Sequence, residues 1–268
     1  MAVDRPAAQR AFDRVGASIE SRVLENPVLA WMRETNRREL LASFAPGSRL
    51  LEIGCGTGAD AEFLADRGYR VVATDVSGEM VSAARRRVGA RGLDGQISIR
   101  QGRVFDLGKE LRAEGAPPFD GAYANFSLTY EASLRAVAAE VASLCRPRSS
   151  FVFTLPNRLA ASVPALALIR GRPREVLERW LPDRSLDVRG IRVRVRDYSV
   201  GSVRSALTPE YTLVDFRALP AFMPSSFLYE ASRDRWWWAL RRLDERWDRS
   251  FPWRHVGETT WFRAVRRG

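Results

Sequence analysis

Short apolar runs alternate with amphipathic stretches along most of the chain, and this alternation predicts a layered α/β fold. Three runs are apolar enough for buried strands: RLLEIG, YRVVATD and ISIRQGRVF. The two stretches between them have helical spacing, and we expect Gly68 to end the first helix and Ser77 to begin the second. Strand, helix, strand, helix and strand in this order are typical of a parallel, doubly wound sheet.

The same rhythm continues to the carboxyl terminus with one interruption. FDGAYANFSL and SSFVFTLPN are predicted strands, and SLRAVAAEVASLC between them is a predicted helix. After Pro156 the pattern changes: residues 158–181 are expected to be helical and apolar, and IRVRVRDY alternates as a half-exposed strand does. Two further strands are predicted, YTLVDFRAL and TTWFRAV.

The chain lacks an internal repeat or a low-complexity linker, so we treat residues 1–268 as one domain. Its parts are expected to be an amino-terminal helical cap, a central half that binds a cofactor, and a remaining part of the sheet interrupted by two insertions that cover a substrate. These correspond to residues 1–45, 46–157 and 158–268, with the insertions at 158–195 and 220–257.

A tryptophan-rich helix is predicted from Arg233 to Arg249. Its side chains divide into a core-like face and a basic aromatic face, as follows: Trp236, Leu240, Leu243 and Trp247 on the first, and Trp237 and Trp238 among Arg241, Arg242 and Arg246 on the second. The first spacing is ordinary for a helix that packs on a core. The second face has four interpretations: packing of the cap, an apolar pocket, an anionic membrane surface or a partner.

Composition adds a strongly basic balance to this picture. Lys+Arg number 43 against 32 Asp+Glu, a formal net charge of +11, and Lys109 is the only lysine. Such a charge can serve nucleic acid, an anionic membrane or an acidic substrate, or only solubility, and the arginines are spread along the whole chain. The hydrophobic content of 46% excludes a disordered chain.

Other sequence features bear on compartment and metals. We expect a cytoplasmic protein, because the amino terminus has no signal-peptide pattern and the most apolar later stretch, Val163 to Ile169, is too short to cross a bilayer. The two cysteines, Cys55 and Cys145, cannot form a disulfide framework, and no Cys/His cluster predicts a metal site.

The motif that carries chemistry is Glu52-Ile53-Gly54-Cys55-Gly56-Thr57-Gly58, which lies between a predicted strand and a predicted helix. Glycines let the backbone approach a ligand closely, and the amides of a helix start then point at it. Asp75 ends the next strand, where a carboxylate can accept both hydroxyls of a ribose. This half of the chain is therefore predicted to bind an adenosine-type cofactor.

The segments LLEIGCGTG, ATDVSGEM and FDGAYANFSL together resemble the class I S-adenosylmethionine-dependent methyltransferases. The resemblance implies a Rossmann-like, doubly wound, mostly parallel seven-stranded sheet with an antiparallel last strand, S-adenosylmethionine as cofactor, and a small-molecule acceptor. A dinucleotide also fits Gly54-x-Gly56-x-x-Ala59, but the Tyr-x-x-x-Lys of many dehydrogenases is absent because Lys109 is the only lysine.

Carried over residue by residue, the resemblance implies a set of cofactor-binding residues: Glu52, Gly54, Cys55, Gly56, Thr57, Gly58, Asp75, Val76, Met80, Arg103, Val104, Asn125 and Phe126. The glycines lie beneath the methionine part and ribose, Val76 and Met80 flank the adenine, and Asn125 and Phe126 line the methionine side. The sequence departs from the family at Arg103, where many relatives have Asp; Asp106 is a candidate replacement and the Val104 amide can still serve the adenine.

The reaction implied is methyl transfer to O, N or C of a small aromatic or lipid-like acceptor, with no catalytic residue assigned. Tyr130 and His255 are the candidates for a base or an acceptor contact. Two alternatives stay open: RNA methylation, indicated by the net charge, and a methyltransferase-like scaffold without catalysis, indicated by Arg103. The oligomeric state and the acceptor are not encoded in any pattern that we find.

Overall fold

The computed structural model describes most of the chain, in these residues: 5–16, 18, 20, 25–160, 168, 171, 185–224, 226 and 237–268. The predicted helix at 158–181 lies largely outside the described residues, as do residues 233–236 of the helix predicted from Arg233 to Arg249. Within the described part no helix has the length and apolar character needed to span a membrane.

Seven strands form the central sheet. They are β1 (Arg49–Ile53), β2 (Arg70–Asp75), β3 (Ile97–Gln101), β4 (Phe119–Ala124), β5 (Cys145–Pro156), β8 (Tyr211–Leu219) and β9 (Thr259–Arg266), and a separate hairpin consists of β6 (Ser185–Val188) and β7 (Ile191–Arg194). The sheet order is β3-β2-β1-β4-β5-β9-β8. β9 runs antiparallel to both neighbours while β1 to β5 are parallel. The predicted doubly wound sheet with an antiparallel last strand is confirmed.

Helices cover both faces of the sheet. In chain order they are α1 (Arg5–Val15), α2 (Pro27–Ser43), α3 (Ala59–Ala65), α4 (Gly78–Ala90), α5 (Val104–Ala113), α6 (Leu134–Leu144), α7 (Val200–Leu207) and α8 (Trp237–Trp247). One apolar core lies under α2, α3 and α4, and a second under α5, α6 and α7. Both faces of β1 and β4 are largely buried, and their sequences are mostly apolar, as is typical of strands in a parallel sheet.

The third strand is shorter than its sequence predicts. ISIRQGRVF was expected to be extended to Phe105, but β3 ends at Gln101 and α5 starts at Val104. Arg103 occupies the N-cap position of α5, and its amide donates to Asp106 Oδ2 at 3.2 Å. Asp106 therefore stabilises the start of its own helix, and this side-chain hydrogen bond outweighs the apolar pattern of Val104 and Phe105.

The predicted core face of the tryptophan-rich helix is wrong for two of its residues. Leu243 and Trp247 are 40% and 41% exposed, and the described part of the helix turns Asp244 and Asp248 inward instead. Asp244 accepts hydrogen bonds from the amides of Ala221, Phe222 and Met223 at 2.5, 3.1 and 2.8 Å. These amides follow β8 and have no neighbouring strand to bond with, so they need another hydrogen-bond acceptor. Asp244 can accept from them only when its side of α8 faces inward, and this determines which face of the helix is buried. Trp236 and the side chains of Trp237 and Trp238 lie outside the described residues.

A buried ion network joins the two ends of the chain. Glu39 of α2 accepts from Arg217 of β8 at 2.5 Å and from Arg249 at 2.7 Å. Arg217 also pairs with Asp248, and Arg249 with Asp215. Because the side chains of Glu39 and Arg217 are 13% and 11% exposed, removing one partner would leave a desolvated charge.

We expect Asp244→Ala to lower the free energy of unfolding by about 2–4 kcal/mol, because three amides lose their acceptor in a buried site. Asp244→Asn keeps one carbonyl oxygen and is expected to lose less. Urea denaturation at neutral pH measures both changes.

The matched control is Glu245→Ala on the same helix, whose carboxylate is 39% exposed and pairs with Arg241. Its expected cost is at most about 0.5 kcal/mol. Equal losses at the two positions would contradict the assignment of Asp244 as the acceptor that orients α8.

Candidate functional site

The glycine-rich loop lies at the carboxyl edge of β1, between this strand and α3, and each of its three glycines has a positive φ. A Cβ on Gly54 would lie 2.3 Å from Ser127 Cβ, so only glycine permits the loop to meet the end of β4. A Cβ on Gly58 would lie 3.1 Å from Ala84 Cβ, which explains the close packing of α3 on α4. At Gly56 a Cβ would meet no atom within 4 Å, so this glycine faces the open side of the loop.

Asp75 fixes the position of that loop from the end of β2. Its Oδ2 accepts from the Gly56 amide at 2.9 Å, and its Oδ1 accepts from the Ser77 amide at 3.0 Å. Burial raises the pKa of Asp75, the backbone amides oppose that rise, and nearby Asp13 adds to it. Each carboxylate oxygen has a second acceptor position, so Asp75 can still receive two hydroxyl groups.

Carboxylates from the amino-terminal segment reach the same loops, although no pattern in the sequence indicates these contacts. Asp13 of α1 accepts from Ser77 Oγ at 2.6 Å, next to Asp75. Glu20 accepts from Thr57 Oγ1 at 2.7 Å and pairs with Arg33 at the same distance. Burial opposes ionisation of Glu20, but the Thr57 hydroxyl and the charge of Arg33 hold its pKa below the usual value. The amino-terminal segment therefore covers the site, and its carboxylates Asp13 and Glu20 have hydrogen-bond partners there.

The hairpin β6-β7 packs against α1 and completes this cover. Val193 of the hairpin is buried against Ala8 and Ala11. Between the two elements lies an open cavity of about 490 Å³, whose lining residues are Ala7, Arg10, Asp13, Arg14, Gly190, Ile191 and Arg192. The hairpin was predicted only as the single strand IRVRVRDY, because its first strand, SLDV, alternates over only four residues. The second strand also ends earlier than predicted, at Arg194.

A second cluster lies behind the glycine loop and contains unsatisfied acceptors. Glu52 is 3% exposed, and among the described residues neither its Oε2 nor Asn125 Oδ1 has a hydrogen-bond partner. Asn125 Nδ2 donates to Asp60 Oδ2 at 2.9 Å, and Arg37 Nε donates to Asp60 Oδ1 at 2.8 Å. Burial and the charge of Asp60 raise the pKa of Glu52 well above its usual value. The protein thus presents acceptors here that a cationic ligand group would satisfy.

The other predicted site residues surround this arrangement with different roles. Val76 is half-buried beside Asp75, and Met80 is buried in α4 with its amide on Ser77 Oγ at 3.2 Å. Cys55 is buried, and burial raises the pKa of its thiol well above its usual value. Phe126, with φ of 55°, is 40% exposed directly after β4.

Arg103 and Asp106 are both occupied elsewhere. Arg103 pairs with Glu131 at 2.9 Å, and its guanidinium lies 4.6 Å from the centre of the Phe105 ring. The carboxylate of Asp106 caps α5, as described above, and the Val104 side chain is buried. Asp106 therefore has a capping role in the structure, and its part in adenine recognition stays a prediction.

The two weak catalytic candidates lie in different places. Tyr130 meets Phe12 of α1 edge to face, with ring centres 5.0 Å apart, directly after β4. His255 packs against Phe216 of β8, also at 5.0 Å, and burial together with Arg254 lowers its pKa. Four strand spacings separate β8 from β1, roughly 19 Å at the usual distance between strands. The described contacts thus bring Tyr130, and not His255, beside the cover of the site.

This geometry agrees with a comparison against known families, in which a model described as "Methyltransferase domain" matches residues 50–148. Those residues contain the glycine loop, Asp75 and the end of β4. This part of the chain therefore matches a methyltransferase domain, and the chain shares the fold of S-adenosylmethionine-dependent methyltransferases from Mesorhizobium loti and Listeria monocytogenes. S-adenosylmethionine is the cofactor that the names of both those proteins give.

Curated relatives of this methyltransferase domain match only part of the chain. A demethylmenaquinone methyltransferase of Symbiobacterium thermophilum is 28% identical over 59% of this chain and 61% of its own length. Nocamycin O-methyltransferase of Saccharothrix syringae is 35% identical over 54% of this chain and 49% of its own length. The chain spans about half the length of the curated relatives it matches.

A solved structure extends the likeness of fold beyond the methyltransferase domain. The 1,6-didemethyltoxoflavin-N1-methyltransferase of Burkholderia thailandensis, crystallised with 1,6-didemethyltoxoflavin and S-adenosylhomocysteine, superposes with a TM-score of 0.62 at 15% identity. The superposition covers 98% of this chain and 88% of that chain. At this identity the likeness establishes a shared fold.

We expect Glu52→Gln to become more stable than the unmodified protein as pH rises. A carboxyl whose folded-state pKa is raised stabilises the fold fully below its unfolded pKa, near 4.5, and loses that contribution as pH increases through the folded value. The difference in unfolding free energy should grow by up to about 1.4 kcal/mol per pH unit above pH 5. Urea denaturation from pH 5 to pH 8, without cofactor, measures it.

Glu79→Gln serves as the matched control, because Glu79 is exposed at the start of α4. Its stability should follow that of the unmodified protein across the range. A Glu52→Gln curve that also runs parallel to the unmodified protein would show that Glu52 is ionised in the folded state.

Proposed function

We propose that this protein transfers a methyl group from S-adenosylmethionine to O, N or C of a small aromatic or lipid-like acceptor. The observation that carries the proposal is the pairing of Asp75 with the Gly56 amide at the open side of the glycine loop. This pairing presents a carboxylate with spare acceptor capacity beside a backbone that a ligand can approach closely.

The residues around the loop fit the chemistry of this cofactor. Asp75 would hold the ribose hydroxyls, and Val76 and Met80 would contact the adenine. Glu52 Oε2 and Asn125 Oδ1, which lack partners among the described residues, are acceptors that suit the ammonium of the methionine part. Arg37, already on Asp60, is the nearby cation that suits its carboxylate.

Bound S-adenosylmethionine supplies a methyl group on a sulfonium, which an acceptor lone pair can take in line as the carbon–sulfur bond breaks. The protein's task is to orient both molecules and to exclude water. Packing of α1 against the hairpin and the edge-to-face contact of Phe12 with Tyr130 provide the cover. Tyr130 is placed to contact the acceptor, and we assign no general base.

The side chains next to the end of β4 support an apolar acceptor. Phe126 is exposed there. Tyr130 follows shortly after it in the chain, and the Tyr130 ring contacts the ring of Phe12 in α1. The names of two similar proteins, a demethylmenaquinone methyltransferase and nocamycin O-methyltransferase, point to small organic acceptors as well. We propose that residues 46–157 hold the cofactor and that residues 1–45, 158–195 and 220–257 enclose the acceptor.

The net charge of +11 does not by itself favour RNA as the acceptor, because the arginines are spread along the whole chain and several of them are paired with acids. Arg87 and Arg91 pair with Glu62, and Arg217 is buried against Glu39. The scaffold interpretation rests on Arg103, which is held by Glu131 instead of entering the loop region. Both alternatives become outcomes of the experiments below.

We expect S-adenosylhomocysteine to bind with micromolar affinity in a calorimetric titration and NAD to show no binding. Asp75→Asn should weaken binding about 5- to 150-fold, equivalent to about 1–3 kcal/mol, because an acceptor oxygen of a charged group is replaced. Asp66→Asn, at a 38% exposed carboxylate on Arg91, is the matched control and should bind normally.

Methyl incorporation then separates the acceptor classes. We expect labelled methyl groups to be transferred from S-adenosylmethionine to phenolic or quinol compounds and not to total RNA. Transfer to RNA alone would replace the acceptor in our proposal, binding of NAD would overturn the cofactor, and absence of binding to either compound would favour the scaffold.

A further inference from the structure

The segment from α8 to the following turn exposes a compact group of apolar side chains. We call it the aromatic face, and its members are Leu243, Trp247, Phe251 and Trp253. Their exposed fractions are 40%, 41%, 81% and 39%, within eleven consecutive residues. Leu243 and Trp247 lie four residues apart on one side of the helix, and Phe251 and Trp253 follow in the turn after it.

The aromatic face is exposed because the opposite side of the helix is anchored by charge. Asp244 and Asp248 point inward, the first to three backbone amides and the second to Arg217. The inward carboxylates fix the rotation of α8, and the aromatic face has to point outward. Leu240 still packs on the core, but a helix of this kind normally buries its other large apolar side chains as well. A cluster of exposed large apolar side chains indicates a surface that meets a partner or a membrane.

Positive charge flanks the aromatic face on its exposed side. Arg242 and Arg246 are exposed neighbours of Leu243 and Trp247, and the Arg246 guanidinium lies 5.7 Å from the centre of the Trp247 ring. Among the described residues neither arginine has an ion pair, whereas the exposed acid of this helix, Glu245, is paired with Arg241. The surface therefore combines free guanidinium groups with protruding aromatic rings.

An anionic lipid surface fits this combination better than a protein does. Tryptophan and phenylalanine partition into the headgroup region, and arginine pairs with lipid phosphates there. Phe251 protrudes so far that insertion would bury it, whereas a flat protein partner would leave a gap around it. Four apolar side chains are also few compared with the twenty to thirty residues that each side of a standard protein interface contains, about 800 Å². The net charge of +11 adds long-range attraction to a negative surface.

We propose that the aromatic face, with Arg242 and Arg246, docks the protein on the surface of an anionic membrane, where Trp247 and Phe251 insert among the headgroups. The contact is peripheral and reversible. It uses residues on the connection between β8 and β9 and requires no part of the methyl-transfer chemistry, so it stands independently of the proposed function.

The test is co-sedimentation with large vesicles of phosphatidylcholine, with and without roughly one-third phosphatidylglycerol. We expect binding to the anionic vesicles that weakens as salt is raised, and little binding to neutral ones. Trp247→Ser combined with Phe251→Ser should lower the partition coefficient about tenfold or more. Arg242→Ser and Arg246→Ser should each lower it about fivefold, which corresponds to about 1 kcal/mol per charge near the surface.

Matched controls come from another exposed region with the same chemistry. Val214→Ser removes a 48% exposed apolar side chain on β8, and Arg204→Ser removes an exposed arginine on α7; both variants should bind vesicles normally. Thermal unfolding should be unchanged in every variant, because the substituted side chains are exposed, and any variant that unfolds early is replaced by its Trp→Tyr, Phe→Leu or Arg→Gln counterpart.

Three results would overturn the proposal. The first is that phosphatidylglycerol does not increase binding to vesicles, and the second is that the aromatic-face variants bind as well as the unmodified protein. The third is self-association by light scattering that the Trp247 and Phe251 changes abolish, because this would make the face an interface between copies of the chain.

Discussion

The arrangement of the whole site depends on how the glycine loop is held at the end of β2. Thr74 O accepts from the amides of Gly54 and Cys55 at 2.7 and 3.0 Å, and Asp75 accepts from the amide of Gly56. These three bonds turn the chain sharply after β1 and leave Gly56 facing open space. Gly54, Gly56 and Gly58 all have a positive φ, a backbone conformation that glycine adopts without the steric cost that other residues would have. The close approach to Ser127, the start of α3 and the orientation of the Asp75 carboxylate all follow from this turn.

Much of this arrangement could be predicted, because local physics determines it. The strands β1, β2 and β4 are mostly apolar, and the glycine loop and Asp75 lie at their carboxyl ends. The antiparallel last strand, which the resemblance to the methyltransferase family implied, also agrees with the structure. The roles of the individual site residues stay predictions.

The features that were missed depend on partners far away in sequence. Asp13 and Glu20 bind Ser77 and Thr57 across 64 and 37 residues, and no local pattern announces such pairs. The rotation of α8 was mispredicted because Leu243 and Trp247 have core spacing, whereas the decisive interaction is that of Asp244 with amides more than twenty residues earlier. The start of α5 was mispredicted for a local reason, because the cap formed by Asp106 is a weaker sequence signal than the apolar residues Val104 and Phe105. Polar tertiary contacts, which hydrophobic periodicity does not encode, account for most of these errors.

The buried ion network also constrains the order in which the chain can assemble. Glu39 lies in α2, near the start, but both arginines that neutralise it, Arg217 and Arg249, belong to the last fifth of the sequence. During synthesis, Glu39 therefore has neither of these arginine partners until β8 and the residues just after α8 have been made. The same holds for the sheet, since β5 acquires its neighbour β9 only with the final residues. Contacts of such long sequence separation favour late, concerted docking of the two chain ends. A ribosome-bound chain that stops before Arg217 would contain the glycine loop and the residues of its cover, but neither arginine that neutralises Glu39.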